Sequence, residues 1–157
     1  MKLRLFLIIF GFLFISLLAT ADPVKAHCEI PCGIYDDSMR YDMLVEHIAT
    51  IEKSMNQIIE LSAAADKNYN QLIRWVVNKE EHARQFMDIV TQYFLTQRIK
   101  PVAPDAGQAY KDYVSHLTYF HEMLVNAMKC KQTVEKVNVD KLKELVALSR
   151  ELYFKEP

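Results

Sequence analysis

Apolar residues recur along this chain at helical spacing in four separate stretches, behind one continuous apolar run, Leu5–Ala19, near its start. Leu44, Ile48, Ile51, Met55 and Ile58 fall on one face of a helix predicted from about Ser38 to Ala65. Asp36, Asp37 and Ser38 offer N-cap oxygens and acidic charge at its start. Asp66-Lys67-Asn68 breaks it. A second helix is predicted from about Tyr69 to Gln97, with Leu72, Val76, Ala83, Phe86 and Val90 inward. Pro101, Pro104 and Gly107 make the next stretch, from Lys100, a loop. A third helix is predicted from near Ala106, where Asp105 and Gln108 have the spacing of a capping box. Its stripe is Tyr113, Leu117, Phe120, Leu124 and Ala127. The polar, mixed stretch Lys131–Val139 reads as a connection. A fourth helix from about Asp140 to Phe154 turns Leu142, Leu145, Val146 and Leu152 inward. There is no hairpin signal and no internal repeat. The pattern predicts an all-α fold, an antiparallel four-helix bundle over residues 36–157.

The opening run has the layout of an export signal. Lys2 and Arg4 give a positive start, and the apolar run is short for a membrane span of about 20 residues. Ala19-Thr20-Ala21 fits the small-x-small cleavage rule and would leave Asp22 first. Val24-Lys25-Ala26 fits it less strictly and would leave His27 first. Left uncleaved, the segment would be a membrane anchor. Cleavage sends the protein to the periplasm or outside the cell. With residues 1–26 removed, about 131 residues remain, enough for one domain with a sizeable core.

Charge narrows the function classes. The full chain has 19 Lys plus Arg against 20 Asp plus Glu. The leader takes away Lys2, Arg4, Lys25 and Asp22, leaving 16 against 19, or about −3. A nucleic-acid binder would carry a basic patch or stripe, and none is visible. An anionic substrate would have to be steered by local Lys or Arg. Familiar bundle chemistries are absent from the sequence. No Glu has a His three positions later, as a ferritin-like di-iron site needs. No Cys-x-x-Cys-His, Gly-rich phosphate loop or His-Glu-x-x-His occurs. His47, His82, His116 and His121 are scattered and read as surface or satisfied core residues. Trp75 reads as packing, and Cys130 as a small buried apolar residue.

One constellation stands apart: His27-Cys28-Glu29-Ile30-Pro31-Cys32-Gly33-Ile34-Tyr35. In an oxidising compartment Cys28 and Cys32 could form a disulfide. If the chain is cut before His27, a second chemistry opens. The α-amine of His27 and the deprotonated amide of Cys28 give two nitrogens, and Cys28 and Cys32 give two thiolates. Five- and six-membered chelate rings join the first three donors, and the Glu29-Ile30-Pro31 turn brings Cys32 to the fourth corner. A planar N2S2 set suits Ni(II) or Cu(II), whereas zinc prefers a tetrahedron. Cu(II) oxidises thiolates, so nickel fits better. The His27 imidazole reaches an axial position, and the other axial face stays open. Anionic thiolate and amidate donors stabilise Ni(III), so the set is suited to one-electron cycling with a small molecule.

His-Cys-x-x-Pro-Cys-Gly-x-Tyr behind a processing site resembles the hook of nickel superoxide dismutases. Here it is carried by His27, Cys28, Pro31, Cys32, Gly33 and Tyr35. The run Arg74-Trp75-Val76-Val77-Asn78-Lys79-Glu80 is also comparable. The resemblance implies a homohexamer of four-helix bundles with one nickel ion per subunit, converting superoxide to dioxygen and hydrogen peroxide. It implies His27, Cys28 and Cys32 as metal ligands, a cis bond before Pro31, and Tyr35 over the open face, ordering water or substrate. Some family members hold the axial imidazole with a Glu on the first helix and an Arg on a neighbouring one. Those positions fall near Asp42 and His82 here, and Asp42 retains a carboxylate for the imidazole N–H. Ile34, Tyr41 and Phe94 are candidates for contacts between subunits. Two alternatives use the same residues: an exported nickel or copper carrier without turnover, and a helical interaction module closed by a Cys28–Cys32 disulfide.

Overall fold

The computed structural model describes residues 36–155. The predicted leader, the expected metal ligands His27, Cys28 and Cys32, and Tyr35 lie outside the described residues. The remainder is four helices, and among the described residues there is no strand.

Helix α1 spans Asp37–Ala63. Asp36 caps it as expected, its Oδ1 accepting from the Ser38 amide at 3.1 Å. Helix α2 spans Tyr69–Asp88, and Asn68 Oδ1 accepts from the Gln71 amide at its start. The rod continues as a π-helical segment, Ile89–Arg98. Here bonds reach back five residues: Ile99 N–H to the Phe94 carbonyl at 2.9 Å, and the side chains of Thr96 and Gln97 to the Thr91 and Gln92 carbonyls. Helix α3 spans Gln108–Gln132, and α4 spans Lys136–Tyr153. Each helix packs on its neighbour in sequence, and α1 closes on α4, as an antiparallel bundle requires.

Three expectations change at the helix ends. The capping box at Asp105 does not form. Gly107, at φ +62°, turns the chain immediately before α3, and Gln108 instead donates to Asp112 Oδ1 at 2.8 Å. Helix α4 begins four residues earlier than its polar composition suggested. Val139, fully buried, precedes Leu142 and Val146 on the same stripe and extends it backward. The connection from α3 to α4 is only Thr133–Glu135.

The core matches the α1 stripe in full: Leu44, Ile48, Ile51, Met55 and Ile58 are all buried. On α2, Ala83, Phe86 and Val90 are buried, but Val76 is exposed, as is Leu117 on α3. Tyr69, Ile73 and Val77 are more than half exposed, so the first half of α2 turns an apolar face outward. Tyr41 and Phe94, read as contacts between subunits, are instead completely buried. Their rings lie 4.7 Å apart, Phe94 stacks on Phe120 at 5.0 Å, and the Tyr41 hydroxyl lies 2.8 Å from Ser149 Oγ. The adjacent residues Tyr93 and Phe94 of the π segment both turn inward at this end of the bundle.

The Arg74–Glu80 run has a structural role. Asn78 Nδ2 donates to Ser54 Oγ at 2.9 Å, tying α2 to α1. Lys79, only 3 % exposed, donates from Nζ to the carbonyls of Cys130, Lys131 and Thr133 at 2.5, 2.6 and 3.2 Å. Burial draws its pKa below the ordinary lysine value. Three carbonyls nevertheless match the three protons of an ammonium, and they are carbonyls that the end of α3 leaves without helical partners. Cys130 is buried as expected, and burial pushes its thiol up to about 11.

Candidate metal centre and its platform

Tyr35, the last residue of the hook, is followed directly by the N-cap of α1. The first turn of α1 therefore fixes where the hook is rooted. Asp37 is its anchor. Tyr153 donates to Asp37 Oδ2 at 2.8 Å, Tyr93 donates to Oδ1, and Arg98 Nε lies 2.9 Å from Oδ1. Arg98 Nη2 also donates to the Tyr93 hydroxyl at 2.8 Å. The guanidiniums of Arg40 and Arg98 each lie 4.8 Å from the centre of the Tyr93 ring. One carboxylate thus ties the start of α1 to the π segment and to the last turn of α4.

The electrostatics agree with that geometry. Burial alone would raise the Asp37 pKa, but the Tyr93 and Tyr153 hydroxyls and the Arg98 guanidinium outweigh it and hold the carboxyl below its usual value. Burial, reinforced by Asp37, raises Tyr93 and Tyr153, so both stay protonated and able to donate. Because the folded pKa of Asp37 is depressed, its stabilisation is present above the unfolded carboxylate value and is lost as pH falls through the folded one. Asp37→Asn is expected to cost roughly 1–3 kcal/mol at neutral pH, with the difference from the parent shrinking below about pH 4. Urea unfolding at pH 7 and pH 3 checks this; an equal loss at both would contradict it.

The remaining candidates are distributed as follows. Asp42 is largely exposed and accepts from Arg150 Nη1 of α4 at 2.7 Å. His82 faces His47 of α1, their Nδ1 atoms 3.0 Å apart. Asp42 and His82 therefore each engage a different neighbour. His116 is half-buried, which lowers its pKa; it stacks on Phe120 and turns an edge to Tyr153. It lines an open cleft of about 520 Å³ with Arg98, Lys100, Asp112 and Tyr113. Among the described residues, no group of three or more His, Cys, Asp or Glu converges as a metal site, and no helix is long and apolar enough to cross a membrane.

Sequence reasoning missed the Asp37 platform. Its members, Asp37, Tyr93, Arg98 and Tyr153, are separated by up to 116 positions, and none has a neighbour that marks it. The acidic first turn was the only signal, and it pointed to the helix dipole rather than to a cluster.

Fold and sequence together point to a class: an all-α bundle preceded by a segment rich in metal-binding donors. The family model for nickel-containing superoxide dismutase matches residues 22–156, a range that takes in both the bundle and His27–Tyr35. The chain belongs to that family and is a nickel-dependent oxidoreductase that disproportionates superoxide. No curated protein and no solved structure matches it.

Proposed function

We propose that His27, Cys28 and Cys32 bind the nickel ion and that the chain becomes active when the bond between Ala26 and His27 is cut. The observation that carries this reading is the donor set itself. An amine, an amide nitrogen and two thiolates, at this spacing, fit a square-planar nickel(II) ion. Bound nickel supplies one-electron cycling between Ni(II) and Ni(III). Over a full cycle two superoxide ions and two protons give one dioxygen and one hydrogen peroxide.

The chain's own residues do the rest. The Cys28 and Cys32 thiolates and the Cys28 amide would hold the ion and donate electron density to it, and the His27 imidazole would add a further nitrogen donor. The Tyr35 hydroxyl would order water or superoxide beside the ion. Asp37, two residues after Tyr35 in the chain, is held by Tyr93, Tyr153 and Arg98. The apolar leader, with Lys2 and Arg4 before it, supports export to the periplasm or outside the cell. The family supports a homohexamer, and Tyr69, Ile73 and Val77 on α2 offer an apolar face for subunit contact.

His27→Gln separates metal retention from catalysis, because it keeps the α-amine and removes only the axial nitrogen. The variant is expected to retain much of its nickel and to lose superoxide removal. Metal analysis and a superoxide-decay assay on one preparation check this. Full activity in the nickel-loaded variant would remove the imidazole from the site.

A further inference from the structure

His47 on α1 and His82 on α2 meet across the helix interface, with Nδ1 atoms 3.0 Å apart and ring centres 5.2 Å apart. His47 is 8 % exposed, and His82 is half-buried beside it. Two protonated imidazoles would set donor against donor and charge against charge at that distance. At least one ring is therefore neutral. Burial first, and His82 second, hold His47 below the ordinary histidine pKa, against the pull of Glu46. Neutral imidazole is the form that binds metals.

The spacing has a further meaning. Two imidazole nitrogens bound to one ion at about 2.0–2.1 Å, on adjacent corners, lie about 2.8–3.4 Å from each other. This pair already spans that edge. The helices are fixed in register around it, because Asn78 bonds to Ser54 on one side and Ala83 is packed in the core on the other. The nearby acidic groups are Glu46, which is exposed, and Glu81, which is bound to Arg84 at 2.6 Å. Neither is needed as a ligand, so water would fill the remaining positions.

We propose that His47 and His82 form a second metal site, a two-histidine clasp on the α1–α2 face for a divalent transition-metal ion of the nickel, copper or zinc type. Magnesium and calcium, which take oxygen ligands, are poor fits for two nitrogens. Binding replaces the contact between the two Nδ1 atoms. The hydrogen on the donating Nδ1 moves to Nε2 of the same ring, so both lone pairs face the ion and no net proton is released.

The test uses the full exported chain carrying Cys28→Ser and Cys32→Ser, so that the hook thiolates do not compete and the result is independent of the hook reading. Titration with Cu2+ and Ni2+ is expected to show a saturable equivalent that weakens at least about tenfold on adding His82→Gln. The electron paramagnetic resonance spectrum of the copper form should lose the coupling of one nitrogen in the same variant, and any metal bound at the chain's N-terminal end is unchanged by His82→Gln. Helical circular dichroism confirms folding, and His47→Gln gives the same test should His82→Gln unfold. Identical stoichiometry and affinity with and without the histidine substitutions would overturn the proposal.

Discussion

Cys28→Ser and Cys32→Ser are each expected to abolish superoxide removal and to remove the nickel of the hook, with the bundle folded. The cause is the identity of the donor. A serine hydroxyl is not deprotonated at neutral pH and is a hard, weakly donating oxygen, so the square-planar set loses a corner that no nearby group replaces. Cys28 also lies at the centre of the chelate, joined to the amine through its own amide, so its loss opens a ring. Among the described residues the core is made by positions 41–146, on the helices themselves. Nickel content by elemental analysis, activity by superoxide decay and helicity by circular dichroism separate the three effects. Full nickel and activity in either serine variant would place the metal elsewhere.

The second large effect concerns Lys79. Lys79→Met keeps the apolar stem and removes the ammonium, leaving the carbonyls of Cys130, Lys131 and Thr133 without their donor in a buried setting. Each unsatisfied carbonyl carries a desolvation cost, and the favourable charge at the C-terminal end of α3 is lost as well. A destabilisation of roughly 2–4 kcal/mol is expected, or about 10 °C in melting temperature. Amide exchange should quicken first in the short Thr133–Glu135 turn, since Lys79 links it to α2. A loss under about 0.5 kcal/mol in urea would contradict the capping role.

These two predictions mark what was legible in the sequence. The hook donors are neighbours in the chain, so a chelate could be read from their spacing. The α1 stripe was legible because five apolar residues recur without interruption. Lys79 was not, since a lysine in a helix usually points to water and its three acceptors are contributed by a turn more than fifty positions away. The π segment was equally hidden. Ile89, Val90, Tyr93 and Phe94 keep a spacing that an α-helix also satisfies, and only the backbone bonds distinguish the two. The first turn of α4 was obscured because Val137, which is exposed, and Val139, which is buried, alternate with polar residues rather than extending a clear stripe. The Asp37 cluster and the His47–His82 pair depend on helix register, which a single stripe does not encode.

The central claim is that nickel sits on a hook created when the chain is cut before His27. N-terminal sequencing of the exported protein, with nickel content and superoxide removal measured on the same preparation, tests it most directly. The expected result is His27 as the first residue, one nickel ion per chain and rapid superoxide removal. A different first residue, together with a Cys28–Cys32 disulfide and no nickel, would contradict it.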